Sequence, residues 1–225
     1  MICVSLSNLG FKECLALAEQ EDFVEFRFDL LDFSTEEVHQ VVSISKRSVA
    51  TYRPHAKDPD RRMQTMITAI KAGANYVDIE LEAESYFRKE LIKTAKTHGR
   101  DVIISYHNFD HTPDASRLKK IVESCKKSNA DVVKIACQVN NEEDIRALMG
   151  LYLENDRMVV IGMGKKGLIT RVAAPFLGAE FTFASPGKGQ ETAPGQIDKK
   201  ELTNLIDQIQ FPFVREQYNK NKKDE

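Results

Sequence analysis

Several features are missing from this sequence, and each absence narrows its function. No apolar run approaches the roughly 20 residues of a membrane span. The start, Met1-Ile2-Cys3-Val4-Ser5-Leu6, lacks a basic region ahead of a long apolar core, so it reads as a strand rather than a signal peptide. Neither charge dominates. The 32 basic and 34 acidic residues leave a net charge of -2, which argues against a nucleic-acid or membrane-surface partner. The cysteines (Cys3, Cys14, Cys125 and Cys137) form no C-x-x-C pair. Free thiols in a reducing cytoplasm are expected, not disulfides or a zinc site. There is also no internal repeat and no low-complexity linker. The 225 residues are therefore expected to form one domain, with a frayed polar tail from about 215.

What is present is regular. Eight short runs rich in Val, Ile, Phe and Tyr predict strands: Ile2 to Leu6, Phe23 to Leu31, Ser48 to Arg53, Tyr76 to Glu82, Asp101 to His107, Asp131 to Cys137, Met158 to Met163 and Glu180 to Ser185. Unbroken apolar stretches such as Val102-Ile103-Ile104 indicate burial on both faces, as in a parallel sheet covered by helices. Between the runs the period is helical. Leu118, Ile121, Val122 and Cys125 fall at i, i+3, i+4 and i+7, and Met63, Met66, Ile67 and Ile70 do the same before Gly73. Ser34, Asn141 and Asp198 are candidate N-caps. Eight strand–helix units in one domain of this length predict an α/β fold, a single-domain (β/α)8 TIM barrel. The alternative is an open doubly wound sheet.

In a barrel, chemistry gathers at the C-terminal ends of the strands. Lys134 lies inside Val132-Val133-Lys134-Ile135-Ala136, where an ammonium is costly to desolvate. Burial lowers a lysine pKa and supplies the neutral amine that attacks a carbonyl. The blander reading is a lysine that snorkels or pairs with a carboxylate. His107 ends the preceding strand, ~5 Å away across the sheet, where it could enter the same pocket as a general acid and base or simply cap the strand. Arg27, Arg53 and Arg171 fall at strand ends or loops and together favour an anionic substrate. Alternation puts Glu25 and Arg27 inside the barrel, along with Asp78, Glu80 and Glu82. Asp78 or Glu80 is then placed either to orient His107 or to pair with an arginine. His55 is a further candidate for the border of the site. The loop Gly162 to Gly167 has the composition of a phosphate cradle but lacks the Lys-Ser/Thr pair, which favours a tight turn.

These segments, with Tyr52-Arg53, Ser105-Tyr106-His107-Asn108-Phe109, Gly167-Leu168-Ile169-Thr170-Arg171 and Ala193-Pro194-Gly195-Gln196-Ile197, resemble type I 3-dehydroquinate dehydratase in order and over nearly the whole chain. The resemblance implies a cytoplasmic lyase of the shikimate pathway that needs no cofactor and no metal. It implies a homodimer and the small-molecule substrate 3-dehydroquinate. Lys134 would form the Schiff base and His107 would move the protons. Ser5, Glu25, Arg27, Arg53, Arg171, Thr192 and Gln196 would bind the substrate. Read from the sequence itself, the Gln190 to Gln196 loop, preceded by Gly187 and Gly189, is the lid candidate. Two departures stand out. Thr192 occupies a place where the family often has serine, and the segment from Pro54 to Asp58 aligns poorly. Two rivals remain: a class I aldolase, which shares the lysine and the barrel, and a non-catalytic binder of small carboxylates.

Overall fold

The computed structural model describes residues 1–54, 58–154, 156–193 and 195–209. The frayed tail expected from about 215 lies outside them, as does His55. Strands and helices alternate: β1 (Ile2–Leu6), α1 (Phe11–Gln20), β2 (Val24–Arg27), α2 (Thr35–Ile44), β3 (Ser48–Thr51), α3 (Pro59–Ala72), β4 (Tyr76–Glu80) and α4 (Ser85–Thr97). They continue with β5 (Asp101–Asn108), α5 (Ala115–Lys127), β6 (Val132–Gln138), α6 (Glu142–Met149), β7 (Met158–Met163), α7 (Leu168–Ala173) and β8 (Thr182–Ala184). A last helix, α8, begins at 199 and is described to 209.

Every strand pair is parallel, in the order β7-β6-β5-β4-β3-β2-β1-β8. The two ends of that order meet, where the Glu180 N–H donates to the Met158 carbonyl at 2.8 Å. The sheet is thus a nearly closed (β/α)8 barrel, and the open doubly wound alternative is set aside. The four cysteines are buried free thiols.

The helix starts follow local chemistry. Ser34 and Glu37 form a reciprocal capping box on α2, as do Asn141 and Asp144 on α6. Asp58 caps α3, Pro59 opens it, and Gly73 closes it in the left-handed region at φ 116°. Asp198 accepts from the Glu201 N–H at the start of α8. Each such cap stabilises by about 1 kcal/mol.

Four predicted strands are shorter than expected, among them β8, which keeps only Thr182–Ala184. β2 stops at Arg27 and turns into a 3-10 turn over Phe28–Leu30. β3 stops at Thr51, two residues short of Arg53, because Pro54 has no N–H for a ladder and restricts the residue before it. β4 stops at Glu80, where the Ala83 N–H turns back to the Glu80 carbonyl. Glu82, expected inside the barrel, is therefore exposed on the turn.

Alternation builds the interior in layers. Cys3, Phe23, Val49, Tyr76, Ile103, Val132, Val159 and Phe181 belong to one buried apolar cluster nearest the N-terminal strand ends. Two residues further along each strand come Ser5, Glu25, Thr51, Asp78, Ser105, Lys134, Ile161 and Phe183. Two further on are Arg27, Arg53, Glu80, His107, Ala136 and Met163, at the cavity mouth. The outward residues, such as Val77, Ile79, Val102 and Ile104, join the larger core beneath the helices.

Candidate active site

Register fixes the central pair. Ser105 lies opposite Lys134 and His107 opposite Ala136, so His107 stands one layer nearer the barrel mouth than Lys134. The Lys134 side chain is 5% exposed. Its Nζ donates to Asp78 Oδ2 at 2.8 Å, lies 3.7 Å from Glu25 Oε1, and sits 4.2 Å from the centre of the Phe183 ring. The pairing with a carboxylate expected of this lysine is present, and the lysine also lines the cavity.

Asp78 is the hub beneath the cavity. Arg53 donates to both of its oxygens, at 3.0 and 2.8 Å, and the Ser105 hydroxyl donates at 2.6 Å. Burial pushes its pKa up, but Arg53 and then Lys134 more than offset this and hold the carboxyl well below its usual range. Asp78 is thus an interior ion pair, one of its two expected roles. Glu25 accepts from Ser5 and from Thr51, both at 2.8 Å. Gln196 Nε2 donates to Ser5 Oγ at 3.3 Å, while its Oε1 accepts from the Thr192 N–H at 2.6 Å and the Thr192 hydroxyl at 3.1 Å. The loop before α8 is tied in this way to the end of β1. Arg27 is held by Asp29, Nε to Oδ1 at 3.0 Å and Nη2 to Oδ2 at 2.7 Å.

His107 is different. Its Nδ1 is buried without a hydrogen-bond partner among the described residues. Glu80 Oε1 lies 3.6 Å away, and the ring stacks on Phe109 at 6.2 Å. Burial, then the positive charges of Arg53 and Lys134, hold its pKa well below the ordinary 6.5, against the opposing pull of Asp78. A neutral imidazole can accept a proton.

Arg171, on α7, is 1% exposed, and its Nε has no hydrogen-bond partner among the described residues. Burial brings its pKa down to about 10, with no carboxylate among the described residues to offset it. An uncompensated buried guanidinium is costly unless an anion joins it. It faces the same cavity, of about 140 Å³.

All of the residues expected at the site line this one cavity: Lys134, His107, Ser5, Glu25, Arg27, Arg53, Arg171, Thr192 and Gln196. Glu80, expected inside the barrel near His107, lines it too, as do Phe109, Ala136, Ile161, Met163, Phe183 and Ala193, which are not among the expected site residues. Alternation could have found Ala136, two residues after Lys134, and likewise Ile161 and Met163 on β7. The Gly162 to Gly167 segment is a tight turn. A Cβ on Gly167 would collide with the Gly162 backbone, and the Gly162 N–H already donates to Thr170 Oγ1 at 2.8 Å. Among the described residues, no group of three or more His, Cys, Asp or Glu side chains is arranged to hold a metal ion.

Comparison with known proteins identifies the family. The family model for type I 3-dehydroquinase matches residues 2–211. The chain is 31% identical over 221 residues to a 3-dehydroquinate dehydratase of Methanococcoides burtonii, covering 93% of this chain and 94% of that protein. It is 33% identical over 224 residues to that of Methanocaldococcus jannaschii, covering 92% and 99%. The crystal structure of 3-dehydroquinate dehydratase from Aquifex aeolicus superposes with a TM-score of 0.78 at 28% identity, covering 92% of this chain and 98% of that one. That from Geobacillus kaustophilus, at 23% identity, shares the fold with a TM-score of 0.82, covering 93% and 91%. The chain belongs to the type I 3-dehydroquinase family.

Proposed function

We propose that this protein dehydrates 3-dehydroquinate to 3-dehydroshikimate through a Schiff base on Lys134, as a shikimate-pathway lyase. The observation that carries the reading is Lys134 itself, a buried primary amine held by Asp78 in a cavity that also contains a neutral histidine. Its nitrogen adds to the substrate ketone, and loss of water leaves an iminium. His107 removes the proton beside it, and the electron pair flows into the iminium to give an enamine. The enamine expels the β-hydroxyl, which takes its proton from His107 and leaves as water. Hydrolysis of the imine returns the amine and releases product.

Arg171 is the anchor for the substrate carboxylate, because it is the buried cation with no anion of its own among the described residues. The linked bank of Ser5, Thr192 and Gln196 suits the ring hydroxyls, with Glu25, Arg27 and Arg53 around them. Cytoplasmic location and a homodimer follow from the family resemblance; sedimentation of the purified protein measures the latter. Among the described residues no helix is long and apolar enough to cross a membrane. Family membership sets the aldolase reading aside.

The test is borohydride reduction in the presence of 3-dehydroquinate. Mass spectrometry should find the reduced adduct on Lys134, and absorbance should report enone product. Folded protein that forms product but carries no adduct would overturn the covalent route. Folded protein that forms neither returns the non-catalytic binder.

A further inference from the structure

Apolar side chains gather on one outer face of the barrel. Among the described residues, Leu168, Ile169, Phe176, Leu177 and Ile209 are each 38–49% exposed. All lie on α7, on the 3-10 turn that follows it (Ala174–Leu177), or at the end of α8. Other exposed large apolar side chains, such as Ile44, Tyr86 and Leu153, come singly from separate segments. Ile169, Val172, Ala173, Phe176 and Ile209 line an open groove of about 460 Å³. Beneath it, Val172 of α7 and Leu202 of α8 belong to one buried cluster, which holds the two helices together. Contiguous apolar surface marks a docking site. The groove offers no polar side chain to orient a small molecule, so its chemistry suits an apolar chain segment.

The described residues end at 209, on the wall of this groove. The sequence continues Gln210-Phe211-Pro212-Phe213-Val214 and turns polar from Arg215. We propose that Phe211, Phe213 and Val214 of the same chain dock in the groove and cover the outer face of α7. Pro212 has no N–H and disfavours helix in the residue before it, which directs the chain off the axis of α8 beside the groove. The five steps from Ile209 to Val214 reach at most ~18 Å, and the stretch from Ile169 to Phe176 is on the order of 12 Å long. The apolar segment is thus long enough for the surface it covers and no longer than needed. Tethered at the groove, it also acts at an effective concentration on the order of mM, ahead of a second molecule.

The docking bears on the site because α7 carries Arg171. This helix has six residues, too few to hold itself without packing. Arg171 faces the cavity, while Ile169 and Ala173 face the groove. Covering the outer face braces the guanidinium on the inner one. That last step rests on the role proposed above for Arg171; the docking itself does not.

The chain has no tryptophan, so Phe176→Trp places a single fluorophore in the groove. Its emission is compared, in the full-length protein, with and without the paired changes Phe211→Ser and Phe213→Ser. The paired changes should move the emission to longer wavelength, as the indole meets water. In the chain that keeps Phe176 they should lower Tm by about 5–10 °C, the effect of exposing two aromatic side chains. They should also raise KM by about 3- to 10-fold, part of the worth of a charged hydrogen bond, with kcat little changed. Unshifted emission or an unchanged Tm would overturn the docking, and neither reading needs turnover, so both stand apart from the proposed activity. An unmoved KM beside a lowered Tm would overturn the brace to Arg171 and uphold the docking. A paired variant that sediments as a smaller species than wild type would make the groove an interface between copies and overturn docking within one chain. If Phe176→Trp does not fold, Ile169→Trp reports on the same groove.

Discussion

The two inner layers of the barrel share one geometry and hold opposite chemistry. The lower layer is apolar and self-sufficient. Phe23 meets Phe181 edge-on at 4.9 Å, and Ile103 and Val132 are fully buried between strands. Its one polar tip, Tyr76 OH, donates to Glu180 at 2.9 Å and is met by Arg47, whose guanidinium lies 5.2 Å over the Phe23 ring. Arg157 ties Glu180 to Asp101 and closes the base. Two residues higher on the same strands, the interior holds Glu25, Asp78 and Lys134. There and at the mouth above, polar atoms of His107 and Arg171 are left without partners among the described residues. The pleat is the same in both layers. The lower one satisfies itself and holds the barrel together, and the upper one leaves polar atoms unpaired around a cavity.

The comparison breaks most sharply at Lys134. Lys134→Ala should abolish the trapped adduct and lower kcat by on the order of 10⁴-fold or more, while the fold survives because Asp78 keeps Arg53. Circular dichroism beside the turnover assay checks both halves. His107→Ala should still trap the adduct but turn over about 10²- to 10⁴-fold more slowly. Near-normal turnover in that variant would assign the base elsewhere. A change one layer down should do the reverse. Ile103 is fully buried below this pair, so Ile103→Ala should cost about 2–5 kcal/mol in urea unfolding with kcat of the folded enzyme near wild type. A large kcat loss there would mean that the layers are mechanically coupled.

Arg171 sharpens the contrast by opposing function to stability. Replacing it with methionine removes the carboxylate anchor, so KM should rise by about 10- to 100-fold, the worth of a charged hydrogen bond. The same change removes a buried charge with no counter-ion among the described residues, so the unliganded protein should unfold no more easily, and by about 1 kcal/mol less easily if the thioether packs well. Thermal melts with and without substrate measure this: substrate should protect wild type more than the variant. Equal protection would move the anchor to Arg27 or Arg53.

Much of this contrast is legible in the amino-acid sequence. Strand order, layer assignment and the inward face of Glu25, Arg27 and Asp78 all follow from a period of two and eight repeated units. Where each strand stops is not. Glu82 obeys the same period but lies past the turn that ends β4, and local turns are set by one or two backbone bonds that composition does not report. Partner choice is hidden too. Asp78 and Glu80 look alike in sequence, and only the reach of Arg53 across from the end of β3 decides that Asp78 is saturated. Phe183 under Lys134 and Phe109 on His107 come from apolar positions that read equally well as core.

The smallest predicted effect is in pH. In the free enzyme the acid limb of kcat/KM should lie below 6.5, because burial and then Arg53 and Lys134 hold His107 below that ordinary value. The sign for stability follows from the same shift. The unfolded chain binds this proton near 6.5 and the folded protein only at lower pH, so acidification below 6.5 favours unfolding. Asp78 adds loss in the same direction at lower pH still, because its folded carboxyl stays ionised below its ordinary 3.8. The lower layer has no such titrating interior group apart from its phenol and thiol, so Ile103→Ala should weaken the protein equally at pH 5.5 and pH 7.5. Replacing His107 with alanine should instead flatten the stability curve between those values. A His107→Ala curve that keeps its full slope would place the titrating group outside the upper layer.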